Sequence, residues 1–163
     1  MAWGKVGNTS GSGDDFDTGV FTSTKFIQVL FHNDATGGTV NRKLRVGNTT
    51  IDSGNNYASR SSQNGGSDGT STSTDNIIQE GATSDAGETG FSLNYIINIT
   101  TEEKLVIGFG IDVVATGAGT APNRREQVSK WANTSSQINV VGGHNNGTGD
   151  FTTDTDLSVL GTD

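Results

Sequence analysis

In two neighbouring stretches of the chain every second residue is apolar. Over residues 91–99, Phe91, Leu93, Tyr95, Ile97 and Ile99 alternate with Ser92, Asn94, Ile96 and Asn98. Over residues 105–113, Leu105, Ile107, Phe109, Ile111 and Val113 alternate with Val106, Gly108, Gly110 and Asp112. A period of two sends alternate side chains to opposite faces of an extended chain, so each stretch predicts a strand with one face in a core. On this reading Tyr95 is buried with its neighbours. Thr100-Thr101-Glu102-Glu103 between them is a polar link of hairpin length. The pair predicts an antiparallel hairpin central to a sheet.

Residues 25–32 are almost continuously apolar, as in a strand covered on both faces. Residues 39–46 alternate, with Val40, Arg42, Leu44 and Val46 on one side. Weaker strands are predicted over 3–6, 16–21, 56–61, 74–78, 126–131, 137–141 and 156–160, separated by clusters such as Ser53-Gly54-Asn55 and Asn64-Gly65-Gly66. Such clusters supply residues that tolerate turns. About ten short strands with regular turn signals predict an all-β fold, an antiparallel β-sandwich of jelly-roll type. Residues 1–163 make a single domain, and the Ser-, Thr- and Gly-rich 61–74 reads as a long exposed loop within it. The first and last strands, 3–6 and 156–160, are candidates to pair with each other or with a neighbour.

Composition narrows the function classes. The chain has 24 Gly, one Pro, two His and no Cys. Disulfides and thiolate metal sites are therefore excluded. A net charge of −8 argues against a nucleic-acid partner, which requires a basic footprint. No apolar run approaches the ~20 residues of a membrane-spanning helix, so membrane insertion is not expected. The opening Met1-Ala2-Trp3-Gly4-Lys5 lacks the apolar segment of a secretory leader. Synthesis and folding in a cytoplasm are the expectation.

Candidate chemistry is sparse. Asp14, Asp15 and Asp17, with Asp150, Asp154 and Asp156, offer carboxylates to Ca²⁺, but without the spacing of a known calcium loop they read as turn residues. His32 and His144 form a shared site only if the fold brings them together. Glu102, Glu103 and Glu126 are the carboxylates available for glycoside hydrolysis. No nucleophile elbow occurs, so no catalytic residue, cofactor or metal is assigned. Among basic residues, Arg42, Lys43, Arg45, Arg60, Arg124, Arg125 and Lys130 fall on predicted strands, where pairing with acids on a solvated face is the default. The candidate surface or ligand contacts are Trp131, Trp3 and Arg60, with Trp131 the aromatic best suited to stack on a sugar.

Several stretches, in order along the chain, resemble a loosely defined group of small virion proteins of marine, cyanophage-type tailed phages. They include Trp3-Gly4-Lys5-Val6-Gly7, Asn56-Tyr57-Ala58-Ser59-Arg60, Tyr95-Ile96-Ile97-Asn98-Ile99, Gly119-Thr120-Ala121-Pro122-Asn123-Arg124 and Lys130-Trp131-Ala132-Asn133. The resemblance implies a non-enzymatic structural protein on the virion surface, a decoration or knob on the capsid exterior. Its partners would be the major capsid protein or other virion proteins, with homo-oligomers allowed. One end of the sandwich would dock on the shell, leaving 61–74 and 117–123 facing water. The rival expectation is a fibre-tip module that recognises host surface glycan through Trp131. A polysaccharide-active enzyme is a third.

Overall fold

A computed structural model describes residues 2–78, 88–113 and 115–163. Within them run thirteen strands: β1 (Gly4–Gly13), β2 (Asp15–Asp17), β3 (Phe26–Thr36), β4 (Arg42–Asn48), β5 (Thr50–Ile51), β6 (Tyr57–Gln63), β7 (Gly69–Thr74), β8 (Ile77–Ile78), β9 (Thr89–Ile97), β10 (Lys104–Asp112), β11 (Asn123–Trp131), β12 (Val140–Asn145) and β13 (Asp150–Thr162). Every pairing is antiparallel. The larger sheet has the order β1-β13-β3-β9-β10-β11-β6-β7, and the smaller β2-β12-β4-β5, with β8 also on β4. The fold is all-β, antiparallel and sandwich-like in a single domain. The unequal split between the sheets does not establish jelly-roll connectivity.

The hairpin read from the alternating stretches is β9–β10, and it occupies the middle of the larger sheet. The terminal strands pair with each other, Gly4 opposite Gly161 and Lys5 opposite Leu160. The exposed loop expected at 61–74 is instead largely a second hairpin. Its residues 61–63 end β6, residues 69–74 form β7, and only the short turn between them is loop. Ser and Thr hold extended backbone and leave both faces polar, so no apolar alternation marks these strands in the sequence.

The two sheets join through aromatic rings. Phe16 on β2 meets Phe31 on β3 and Phe151 on β13 with centroids 5.7 and 5.4 Å apart, both edge-on. Phe16 fits because Gly11 faces it: a Cβ there would stand 2.1 Å from the ring. Around this joint pack Ile27, Val29, Val46, Val141, Leu157 and Val159, all buried. A second anchor lies toward β6 and β11. Tyr57 Oη donates to the Val46 carbonyl at 2.8 Å, and Trp131 Nε1 donates to Asp52 Oδ2 at 2.7 Å. Partial burial pushes the Asp52 carboxyl up, but hydrogen bonds from Trp131, Gly54 and Asn56 outweigh it and hold the pKa below the usual range.

The inner surface of β9, β10 and β11 is mixed, with Ile96, Val106 and Trp131 in the core and polar residues buried beside them. Ser92, Asn94, Gln127 and Ser129 are buried there, with Arg42, Asn33 and Asp112. Arg42 Nη1 donates to Asn33 Oδ1, and Nη2 lies 3.4 Å from Asp112 Oδ1. Burial lowers the guanidinium pKa to about 10, while Asp112 opposes the shift. Glycines make room for this cluster. A Cβ at Gly90 would stand 2.4 Å from Arg42 Nη1 and 2.7 Å from Asp112 Oδ1, and one at Gly108 would stand 2.3 Å from Asn94 Oδ1.

Two outcomes follow for stability in chemical denaturation. Gly90→Ala costs about 1–3 kcal/mol by overpacking, whereas Gly4→Ala, whose Cβ meets nothing within 4 Å, stays within about 0.5 kcal/mol of the parent. Asp52→Asn is less stable than the parent at neutral pH. Because the folded pKa of Asp52 is depressed, its charge stabilises above the unfolded value of about 4 and ceases to do so as pH falls through the folded value. The difference between the two proteins therefore shrinks in acid.

Candidate docking surface

Alternation along β9 and β10 is as regular as the sequence indicates, but the faces are reversed. The apolar set points away from the smaller sheet. Tyr95 is 44% exposed and Phe91 39%, while Ser92 and Asn94 beside them are buried. On β10, Leu105, Ile107, Phe109 and Ile111 are between 48% and 56% exposed, and Lys104, Val106 and Asp112 are buried. The reason lies beneath them. With Arg42, Asn33 and Asp112 filling the space under Gly90, and Asn94 and Gln127 crowding Gly108, large side chains at these levels have room only outside, and Ile96 and Val106 turn inward beyond them. Tyr95, expected in the core, is thus a surface residue.

The reversed residues form one surface across adjacent strands. Phe91 stands opposite Ile111, Leu93 opposite Phe109 and Tyr95 opposite Ile107. Val128 on β11, half-exposed, extends the third row, opposite Ile107. Two hollows flank the ridge of Leu105 and Ile107. One, of about 330 Å³, is lined by Trp3, Phe26, Tyr95 and Ile97. The other, of about 420 Å³, lies over Val128, Arg60 and Thr72. A soluble monomer's largest apolar patch is typically ~300–600 Å², and larger ones mark interaction sites.

Charges border this surface. On the β11 side, Lys130 Nζ pairs with Glu103 Oε2 at 2.8 Å, Arg124 Nε lies 3.7 Å from Glu126 Oε1, and Arg60 Nη1 lies 3.6 Å from Asp68 Oδ2. These are the acid pairings the default reading of the basic residues expects. On the β13 side stand Asp154 and Asp156, both exposed. His32 Nδ1 lies 3.1 Å from the Asp154 carbonyl.

Of the three candidate contacts named from sequence, the surface unites two. Trp3 is 45% exposed and lines one hollow, and Arg60 borders the other. Trp131 is corrected: it is 2% exposed, with its indole N–H taken by Asp52. It shares the buried face of β11 with Gln127 and Ser129, because the register puts it opposite Tyr57 in the core. No flat ring is left there for a sugar to stack on.

The remaining candidates are dispersed. His144, on the smaller sheet, has Nδ1 2.7 Å from Asp15 Oδ1, and Asp15 also meets Arg45 at 3.2 Å, whereas His32 stands on β3 in the larger sheet. Asp14 accepts from Asn145 and Asp17 from the Gly19 amide. Among the described residues no group of three or more His, Cys, Asp or Glu is arranged to hold a metal ion. Glu103 and Glu126 are each engaged by a basic neighbour. Among the described residues no helix is long and apolar enough to cross a membrane.

Comparison with protein families, curated proteins and solved structures finds no match to this chain.

Because the outer residues contribute little to folding, replacing both Ile107 and Phe109 by Thr leaves the denaturation midpoint nearly unchanged, each site within about 0.5 kcal/mol. The same double variant loses at least about half of the fluorescence of a bound apolar dye, the property that reports exposed hydrophobic surface.

Proposed function

We propose that this chain is a non-enzymatic structural protein that works by docking, and that its larger sheet provides the protein–protein interface. The observation that carries this reading is the contiguous apolar outer face of β9 and β10. Six apolar side chains there, from Phe91 to Ile111, stand about half exposed on the two central strands of the sheet. A monomer that keeps such a surface in water gains nothing for its own stability. A subunit of an assembly does.

The setting is a virion surface, as the resemblance of the chain to small marine-phage virion proteins implies, with the exterior of the head as the site of attachment. The apolar surface lies on a sheet face rather than at an end of the sandwich. Association through that face, whatever the partner, leaves the exposed residues 115–122 free toward solvent. The glycan-binding alternative loses its principal aromatic with the burial of Trp131.

Gold-labelled antibody on purified particles tests the proposal by electron microscopy. Label over the head is the expected result, with Phe109→Asp protein absent from the particles. Label confined to the tail, or an intact virion without label, overturns the capsid-decoration reading. Particles that retain the Phe109→Asp variant overturn the role of the sheet face.

A further inference from the structure

We infer that the occupant of the apolar face is a second copy of this chain, joined through a two-fold axis that lies in the interface and runs along the strands between β9 and β10. The inference rests on the reading of this face as a protein interface and names its partner.

Area is the first support. Trp3, Phe91, Tyr95, Leu105, Ile107, Phe109, Ile111 and Val128 are each 39–56% exposed. At roughly 100 Å² apiece they amount to about 800 Å², one partner's share of a standard stable interface.

Self-complementarity is the second. In each of three successive rows one ring stands beside one aliphatic side chain, and the order reverses from row to row: Phe91 with Ile111, Leu93 with Phe109, Tyr95 with Ile107. A two-fold axis between the strands lays β9 of one copy over β10 of the other and keeps the rows aligned. Phe91 then meets Ile111 of the second copy, Phe109 meets Leu93 and Tyr95 meets Ile107. Every ring lands on an aliphatic group, never ring on ring, so bulk on one copy faces lesser bulk on the other. Isologous packing requires such a surface, complementary to itself. Two sheets packed face to face in this way make an ordinary aligned sandwich interface.

Charge placement is the third. The same axis carries the β11 rim of one copy over the β3–β13 side of the other. Arg124 shares the row of Ile111, Phe91, His32 and Asp156, so Arg124 on the first rim then approaches Asp156 on the second, twice over by symmetry. Asp156 is exposed, and Ser10 Oγ is its hydrogen-bond partner at 2.8 Å. No charged side chain lies among the three apolar rows themselves. A net charge of −8 disfavours an anionic lipid surface as the occupant.

Sedimentation velocity and light scattering on the full chain at micromolar concentration test the inference. The expected mass is about 34 kDa, twice the 16.9 kDa of one chain. Phe109→Asp weakens the dimer by at least about 30-fold, the effect of losing a central anchor, with an unchanged far-ultraviolet spectrum. Ile107→Lys provides the same test should the first variant fold poorly. Arg124→Asp and Asp156→Arg each weaken association about fivefold at low salt, and their combination restores it. A mass of 16.9 kDa at every concentration overturns the inference, as does a trimer, or a dimer indifferent to Phe109→Asp. If the parent is monomeric but Phe109→Asp is lost from particles, the face serves a different protein: the second copy falls and the docking reading stands. If the variant is retained on particles as well, both fall.

Discussion

The buried guanidinium of Arg42 is the constraint on which the rest of this molecule turns. Taking a cation out of water is expensive unless its donors are met. Asn33 and Asp112 meet them, and the lowered guanidinium pKa, about 10, records how much desolvation the site imposes. Such a cluster needs space and polar company. It has both only because β9 and β10 present Gly90, Ser92, Asn94 and Gly108 inward. Side chains alternate strictly along a strand, so whatever occupies the other positions must point outward. A register slip of one residue would drive Phe91 and Ile111 onto the ion pair. The apolar surface is therefore the obligatory reverse side of a polar interior.

The sandwich thus has two halves. Around Phe16, Phe31 and Phe151 it is built like other sandwiches, with apolar inner faces interlocked and close-packed. Toward β9, β10 and β11 the inner layer is mixed: Ile96, Val106 and Trp131 join the core, but Ser92, Asn94, Asp112, Gln127 and Ser129 are buried beside them, and the larger apolar residues of β9 and β10 gain full burial only on association. Trp131 and Tyr57 mark the boundary. Both are buried, and each is tied by its polar atom to the loop carrying Asp52.

Much of the strand pattern was legible in the residues, while the sidedness was not. Period-two alternation located β9, β10 and the turn between them. It reports that two faces differ without saying which one is inside. Two signals bore on that choice. Arg42 sits in register with Val40, Leu44 and Val46, a charge at a position that the pattern assigns to the core. The residues that alternate with the apolar set on β10 include Gly108, Gly110 and Asp112, small enough to let other groups approach. Together they say that something polar lies under the hairpin, but only the packing of β4, in the smaller sheet, against β3, β9 and β10 brings Arg42 there. Ser- and Thr-rich β7 left no periodic trace because neither of its faces is apolar. Trp131 was misplaced for a related reason: its neighbours Gln127 and Ser129 are polar, yet they line the interior.

Open sheets usually associate through their edges, and this one is poorly suited to it. The strand β1, at one end of the larger sheet, has register shifts between Lys5 and Gly7 and between Gly11 and Gly13. At the other end β7 is short, polar and irregular, with Ser73 in the left-handed region at φ 53° and a shift where it meets the start of β6. Bulges and breaks of this kind blunt an edge against strand addition. The protected edges and the unprotected face belong together. A chain under pressure to stay soluble as a monomer would have covered the face, since a few Lys or Glu at positions 105, 107, 109 and 111 disturb nothing beneath them. Instead the polar residues are spent on the inside and the edges are closed off. Of the surfaces the larger sheet offers, the outer face of β9 and β10 is the one left for recognition, and its shape there selects the partner.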